Sequence, residues 1–324
     1  MTALLSAEAL SIVKARNDGI ERHKITSREQ WLSLRSHDVT ASVAGALFGV
    51  HEYTTLYQLW ALKSGLITED AEETAPMRRG RLLEPVAIQM LREERPTWDV
   101  APNKNYFRDA AARIGSTPDG FAIDPERPGF GSVQFKSVES SVFRRKWRDE
   151  DGEVAPPLWI AIQATIDAYL SGASWAAIAP IVVGHGIDIF VIDVPMRSGL
   201  LEKLKVETEK FWRLVETQTA PDPDYGRDGS LIAQLNSQCD GSTIDLSKDN
   251  RIVALASEDY QLAENIKELE TRRKIIRAEA LDKIGAAEIA TVNGEVVMTA
   301  KTVSRKGFEV KPTSFRQIQF KRSA

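Results

Sequence analysis

The chain has 324 residues, 43% of them apolar and 27% charged, the profile of one large or two ordinary globular domains and not of a disordered tail or a disulfide-stapled miniprotein. Lysine and arginine number 42 against 46 acids, a net charge of −4, so any grip on nucleic acid must come from local clusters. Cys239 is the single cysteine, and His23, His37, His51 and His185 share no ligand spacing. A disulfide framework and a Cys/His zinc centre are therefore disfavoured, and with no membrane-length apolar run or signal-peptide order the expectation is a cytoplasmic protein with no membrane partner.

In chain order, Ser27 to Trp31 opens a helix, and Thr40-Ala41-Ser42 is expected to cap a second one that runs to Leu47 and stops at Phe48-Gly49. A third helix is expected to start near Leu82-Leu83-Glu84-Pro85 and to turn Ala87, Ile88 and Leu91 inward. Residues 113–123 and 130–138 then read as paired strands joined by the Pro- and Gly-containing segment 124–129. A helix over 157–170, strands over 175–183 and 187–194 around Gly184-His185-Gly186, and an amphipathic helix over 200–215 complete one mixed α/β unit, placed at residues 1–217. Residues 218–250 read as an acidic, turn-rich linker. Beyond it, Leu255, Leu262, Leu269 and Ile276 recur every seven residues with Ile252 and Ile266 on the adjoining row. This is a long helix with an apolar seam, and packing on its own domain is preferred to an intermolecular coiled coil because four heptads is the lower limit for the latter. Residues 289–302 alternate around Asn293-Gly294, a hairpin signal. A basic β-like tail follows, with seven basic residues against Glu309 between Lys301 and Arg322. Residues 251–324 thus form a helical and hairpin extension.

The chemistry gathers around Thr117-Pro118-Asp119-Gly120 and, fifteen residues after the aspartate, Gln134-Phe135-Lys136. Strand residues alternate sides, so Gln134 and Lys136 share a face, and an aspartate on the neighbouring strand end can join them around a divalent ion. Such a group suits phosphodiester hydrolysis: a hard cation neutralises phosphate charge and acidifies a bound water while a lysine stabilises the developing anion. Taken alone, the Asp-Gly pair reads as an ordinary turn and the lysine as solvent-facing. Glu84 reads either as helix-dipole compensation in a first turn or as a second carboxylate on the metal side. Arg35, Thr40 and Ser42 read either as an N-cap beside a surface arginine or as a phosphate cradle at a helix start. Gln163 by itself is a polar residue on an exposed helix face. Arg78, Arg79, Arg144 and Arg145 are candidates for holding DNA by its phosphates.

The ordered set is more specific than its parts. Arg35 with Thr40-Ala41-Ser42, then Arg79-Gly80-x-x-Leu83-Glu84-Pro85, then Pro118-Asp119-Gly120, then a strand ending in Lys136, then a helix with Gln163 and a Leu170-Ser171-Gly172 close resembles the YqaJ-like viral recombinases. That family includes the phage lambda type of exonuclease and belongs to the PD-(D/E)XK nucleases; the resemblance covers about residues 27–195. It implies a restriction-endonuclease-like α/β core with a mixed sheet and helices on both sides. It also implies an Mg²⁺-dependent exonuclease, with Mn²⁺ able to substitute, that digests linear duplex DNA 5′→3′ in phage-type recombination. By the same resemblance Glu84 and Asp119 are metal-site acids, Lys136 is the catalytic lysine, Gln163 a helper near the water or phosphate, and Arg35 and Ser42 part of a 5′-phosphate pocket. The implied partners are double-stranded DNA ends, further copies of the chain in a trimeric ring, and a single-strand annealing recombinase.

One departure stands out: where the family has Glu-x-Lys, this chain has Gln134-Phe135-Lys136, an amide in place of a charged ligand. The amide oxygen of Gln134 and the backbone carbonyl of Phe135 remain available, and Glu139 or Asp124 are candidate replacements for the lost charge. Two alternatives stay open, a nuclease-impaired scaffold that binds DNA ends and an endonuclease of the same fold.

Overall fold

The computed structural model describes residues 19–68, 74–305, 307 and 316–320, and the chain divides into two compact units, Met1–Leu231 and Ile232–Ala324. In the first unit, β1 (Ile20–Lys24), β2 (Val39–Thr40), β4 (Asn105–Asp109) and β5 (Ile114–Ser116) form a four-stranded sheet in the order β1-β4-β5-β2. The second sheet holds β3 (Asp99–Pro102), β6 (Gly120–Ile123), β7 (Gly131–Glu139), β8 (Trp175–Val183), β9 (Ile187–Ile189) and β10 (Ile192–Val194). Its order is β10-β8-β7-β6-β3, with β9 also on β8. Only β7 and β8 run parallel in it, so the sheet is mixed, as expected. The helices are α1 (Arg28–Ser36), α2 (Leu56–Lys63), α3 (Ala75–Glu94), α4 (Ser140–Lys146), α5 (Leu158–Ser171), α6 (Ser198–Glu216) and α7 (Tyr225–Leu235).

Period-2 alternation in the two central strands builds both faces of the core. Val133 and Phe135 of β7 with Ala177, Ala179 and Ile181 of β8 pack under Ala87, Ile88 and Leu91 of α3. Val138 of β7 with Ala176, Ile178 and Val182 of β8 packs on the other side with Phe143 of α4 and Ile160, Ala164 and Ala168 of α5. Helices therefore cover both faces. Gly131 is needed where β7 passes Trp175, because a Cβ there would meet the indole at 2.3 Å.

Several sequence expectations change. The strand over 113–123 breaks at Thr117-Pro118-Asp119, which carries the chain from β5 in one sheet to β6 in the other; Pro118 has no N–H to give to a ladder. The helix expected from residue 82 begins at Ala75, capped by Thr74, whose hydroxyl accepts from the Met77 N–H at 3.4 Å. Pro85 lies inside it, and Glu84 sits mid-helix, so compensation of a first-turn dipole is not its role. Thr40 and Ser42 do not cap a helix: a 3₁₀ segment, Ala44–Phe48, follows Val43 without a side-chain cap and ends on Gly49 at φ 68°, the left-handed stop that glycine provides. The strand over 187–194 divides at Phe190 into β9 and β10. Residues 225–235, within the stretch read as linker, are helical; Asp228 and Leu231 of α7 are buried, and Asp228 accepts from the Thr55 hydroxyl at 2.6 Å and the Asp224 N–H at 2.8 Å.

In the second unit, α8 (Asn250–Ile284) is capped by Asp249 and is followed by the hairpin β11 (Ile289–Val292) and β12 (Glu295–Thr299). Asn293 and Gly294 both have positive φ, 54° and 85°, as the tight turn requires. Most of the basic tail lies outside the described residues.

Candidate active site

The break at Pro118 leaves Asp119 at the mouth of β6, beside the middle of β7. One oxygen, Oδ2, accepts the backbone N–H of Phe135 at 2.8 Å and also a hydrogen bond from the Gln134 Nε2. Because Gln134 and Lys136 point to the α5 face, both reach Gln163: its Nε2 donates to Gln134 Oε1 at 3.0 Å, and its Oε1 accepts from Lys136 Nζ at 2.9 Å. Asp119, Gln134, Gln163 and Lys136 form one unbroken chain of side-chain hydrogen bonds. Gln163 is buried within it, so the reading of an exposed polar residue does not hold; its amide must be paired because burial would otherwise leave it unsatisfied.

The amide of Gln134 turns its nitrogen, not its oxygen, toward Asp119. A carboxylate is acceptor-only, so its neighbour must present a donor. A glutamate at this position could not. Gln134 therefore does not offer its oxygen alongside Asp119, as the ligand reading expected. The Phe135 carbonyl lies 3.4 Å from Gln134 Nε2.

Glu84 approaches from α3 and lines the same cleft, of about 810 Å³, with Asp119, Gln134, Phe135 and Lys136. Its carboxyl is pushed up to about 7, first by burial and then by the charge of Asp119. Burial also raises Asp119, against the pull of Lys136 and the hydrogen bonds from Phe135 and Gln134. Lys136 is lowered by burial, opposed by the charges of Asp119 and Asp167, and its Nζ stands 5.6 Å from the centroid of the Trp159 ring. Among the described residues no cluster of three or more His, Cys, Asp or Glu forms a cation cage. Two carboxylates whose charges oppose each other, with a backbone oxygen nearby, nevertheless fit a hard divalent ion that keeps most of its waters, the habit of Mg²⁺.

Asp167 went unremarked in the sequence. It lies one helical turn after Gln163 on α5 and is 1% exposed, and neither carboxylate oxygen has a hydrogen-bond partner. Its pKa rises to about 8 through burial and the Asp119 charge, while Lys136 and Ser116 lower it. The i, i+4 spacing from Gln163 was the available signal. The two candidate replacements for the lost glutamate are engaged elsewhere: Glu139 caps α4 through the Ser141 N–H, and Asp124 pairs with Arg127 at 3.0 Å.

The residues of the expected phosphate cradle lie around β2. Thr40 and Ser42 hydroxyls meet at 3.1 Å, and Arg35 stacks on Trp31 with its guanidinium carbon 4.4 Å from the ring centroid. Two contacts tie this region to the cleft. Trp31 Nε1 donates to the Thr117 hydroxyl at 3.0 Å, and His51, bonded to the Ser42 carbonyl, lies 4.7 Å from Trp159. Beneath it, Asp38 accepts from the Tyr106 hydroxyl at 2.9 Å and from two nitrogens of Arg108 at 2.9 and 3.0 Å, pinning β2 to β4. Of the basic candidates, Arg79 lines the cleft and donates to the Ser137 carbonyl at 3.2 Å. Arg78 is exposed beside it, and Arg144 and Arg145 are exposed on α4, whose Lys146 also lines the cleft.

The family model for the YqaJ-like viral recombinase domain matches residues 30–174, which hold every residue of the hydrogen-bonded chain. No curated protein matches the sequence. Solved structures similar to the chain include an alkaline exonuclease from Laribacter hongkongensis, at 19% identity and a TM-score of 0.46 over 63% of this chain and 100% of that one. Another is a phage-related exonuclease from Haemophilus somnus, at 14% identity and 0.43 over 56% of this chain and 96% of that one. The matched segment ends within the second sheet, short of β8, so α6, α7 and the whole second unit lie outside the match.

Proposed function

We propose that the YqaJ-like domain is a metal-dependent DNA exonuclease that digests linear duplex DNA from its 5′ ends in phage-type recombination, with Mg²⁺ as cofactor. The observation that carries this reading is the unbroken chain from Asp119 through Gln134 and Gln163 to Lys136 on the wall of a cleft edged by Arg79 and Lys146.

Asp119, Glu84 and the Phe135 carbonyl would hold the ion, which supplies phosphate neutralisation and an acidified water when bound. The protein's own residues do the rest. Lys136, held by the Gln163 carbonyl and lowered by burial, presents an N–H to the anionic oxygen that develops on the phosphate, in a site with little competing water. Glu84, raised to about 7 by burial and the Asp119 charge without an ion, would give up its proton to bind the ion as a carboxylate. Arg79, Lys146 and the exposed Arg78, Arg144 and Arg145 meet the phosphate backbone without reading bases. A single-strand annealing recombinase is the proposed consumer of the 3′ strand so exposed.

The test is digestion of a 5′-phosphorylated linear duplex against the same DNA covalently closed, with MgCl₂ or EDTA. Mg²⁺-dependent loss of the linear form alone, abolished by Lys136→Ala, is expected; equal attack on the circle counts against an exonuclease. A second reading, a DNA-end-binding scaffold without hydrolysis, draws on the orientation of Gln134, whose hydrogen bonds to Asp119 and Gln163 are complete without an ion. End binding in EDTA, with no cleavage by wild type or Gln134→Glu at any Mg²⁺ level, would favour it.

A further inference from the structure

We propose that Tyr53 is a stacking platform for a base of the strand whose phosphate lies at Lys136, an inference that rests on DNA being what enters the cleft. Tyr53 lines that cleft together with Glu84, Asp119 and Lys136 and is 68% exposed. Its ring meets Trp159 at 6.1 Å and 82° and His51 at 6.3 Å and 75°, so neither neighbour stacks face to face on it. The backbone beneath the ring is pinned. The buried His51 ring accepts the Tyr53 and Thr54 N–H groups at Nδ1, at 3.1 and 2.8 Å, and gives its other N–H to the Ser42 carbonyl at 2.9 Å. From α7, Arg227 donates to the His51 and Glu52 carbonyls, both at 2.9 Å, and Asp228 takes the Thr55 hydroxyl. A ring carried on a fixed loop has less freedom left to lose on binding.

Charge and spacing select the occupant. Trp159 bridges the lysine and the tyrosine: Lys136 Nζ stands 5.6 Å from its ring centroid, and the Tyr53 ring 6.1 Å from it. Arg79 and Lys146 line the same cleft. Cations beside an open aromatic ring match the two chemistries of a nucleotide, an anionic phosphate and a flat base. Every base has a face to stack, so the contact is expected to tolerate any sequence.

The test is a binding cycle on the full-length chain, read by fluorescence anisotropy in EDTA so that the DNA stays whole. The probe is a duplex whose 5′-phosphorylated strand ends in a few unpaired nucleotides, either complete or with one of them made abasic. Tyr53→Ala should weaken binding of the complete probe about tenfold, which is about 1.4 kcal/mol and lies within the range for stacking a base on an aromatic side chain. Tyr53→Phe should stay within about twofold of wild type. One abasic position should cost wild type the same factor and cost Tyr53→Ala nothing further, a coupling that a merely structural tyrosine would not show. The abasic scan on wild type needs no substitution, so a misfolded variant would not hide the result. Wild type that ignores every abasic position, Tyr53→Ala that binds like wild type, or losses that simply multiply would each overturn the platform, as would a wild-type chain that fails to bind the probe. Binding, not cleavage, carries the result: a coupled cycle without Mg²⁺-dependent digestion would leave the platform standing and sink the nuclease reading, and digestion with an uncoupled cycle would do the reverse.

Discussion

Restoring the carboxylate by Gln134→Glu should move stability and ion binding in opposite directions. Gln134 is 2% exposed, gives its amide N–H to Asp119 and accepts from Gln163. Glutamate keeps the second bond and loses the first, a charge-assisted one worth about 1.5–3 kcal/mol. It also places two carboxylates together. At about 4 Å and an effective permittivity near 20 their repulsion is about 4 kcal/mol, and protonating one carboxyl relieves part of it at about 1.4 kcal/mol per pH unit. In EDTA at pH 8 the variant should therefore be about 3–5 kcal/mol less stable. The pair titrates above the unfolded carboxylate range, so the loss should shrink as the pH falls toward 4. With millimolar Mg²⁺ the deficit should narrow, because a tighter ion adds RT ln(1 + [L]/Kd), about 2.7 kcal/mol at a hundredfold excess over Kd. Urea denaturation with and without MgCl₂ reads both effects. Equal midpoints in EDTA, together with an Mg²⁺ response no larger than wild type, would refute the geometry on which the argument rests.

Asp167→Asn should stabilise the protein at alkaline pH. A carboxyl raised from 3.8 to about 8 contributes stability that is complete below pH 3.8 and lost as the pH climbs to 8. The gain in the variant should grow across that window toward a ceiling of about 6 kcal/mol, at about 1.4 kcal/mol per unit; urea titrations in EDTA from pH 5 to 9 with parallel curves would contradict it. Asp38→Ala should cost about 3–5 kcal/mol, the usual penalty for stranding the partner of a buried ion pair, because Arg108 and Tyr106 both lose their acceptor; guanidinium unfolding measures this. Asp228→Ala should cost about 1–3 kcal/mol by leaving the buried Thr55 hydroxyl without its acceptor, and hydrogen exchange should rise in α7 before any other helix of the first unit.

Strand alternation was enough to place Gln134 and Lys136 on one face, and linear spacing brought Asp119 to them. The apolar triplet Ala87, Ile88 and Leu91 was legible for the same reason, since a 3.6 period survives whatever the helix start. Long-range polar pairing was not legible. Asp38 finds Tyr106 and Arg108 some seventy residues on, and Asp228 finds Thr55 173 residues away; no local pattern encodes a partner at such separations. Helix boundaries failed where one signal masked another: Pro85 suggested a start, but Thr74 and Pro76 supply the N-terminal chemistry and Pro85 is carried inside the helix.

The strand break at Pro118 links fold to chemistry. It ends one sheet and begins the other, and Asp119 can turn toward β7 because it belongs to neither ladder. Its oxygen is then committed to the Phe135 N–H and the Gln134 amide. For the proposed hydrolysis, a cation between Asp119 and Glu84 would have to compete with that amide, so the substitution at 134 does more than remove a charge: it supplies a donor that satisfies Asp119 internally. The same donor relieves the carboxylate in the free protein. Stability and ion affinity are thus set against each other at one residue, and Gln163, which holds both Gln134 and Lys136, passes any turn of that amide directly to the lysine.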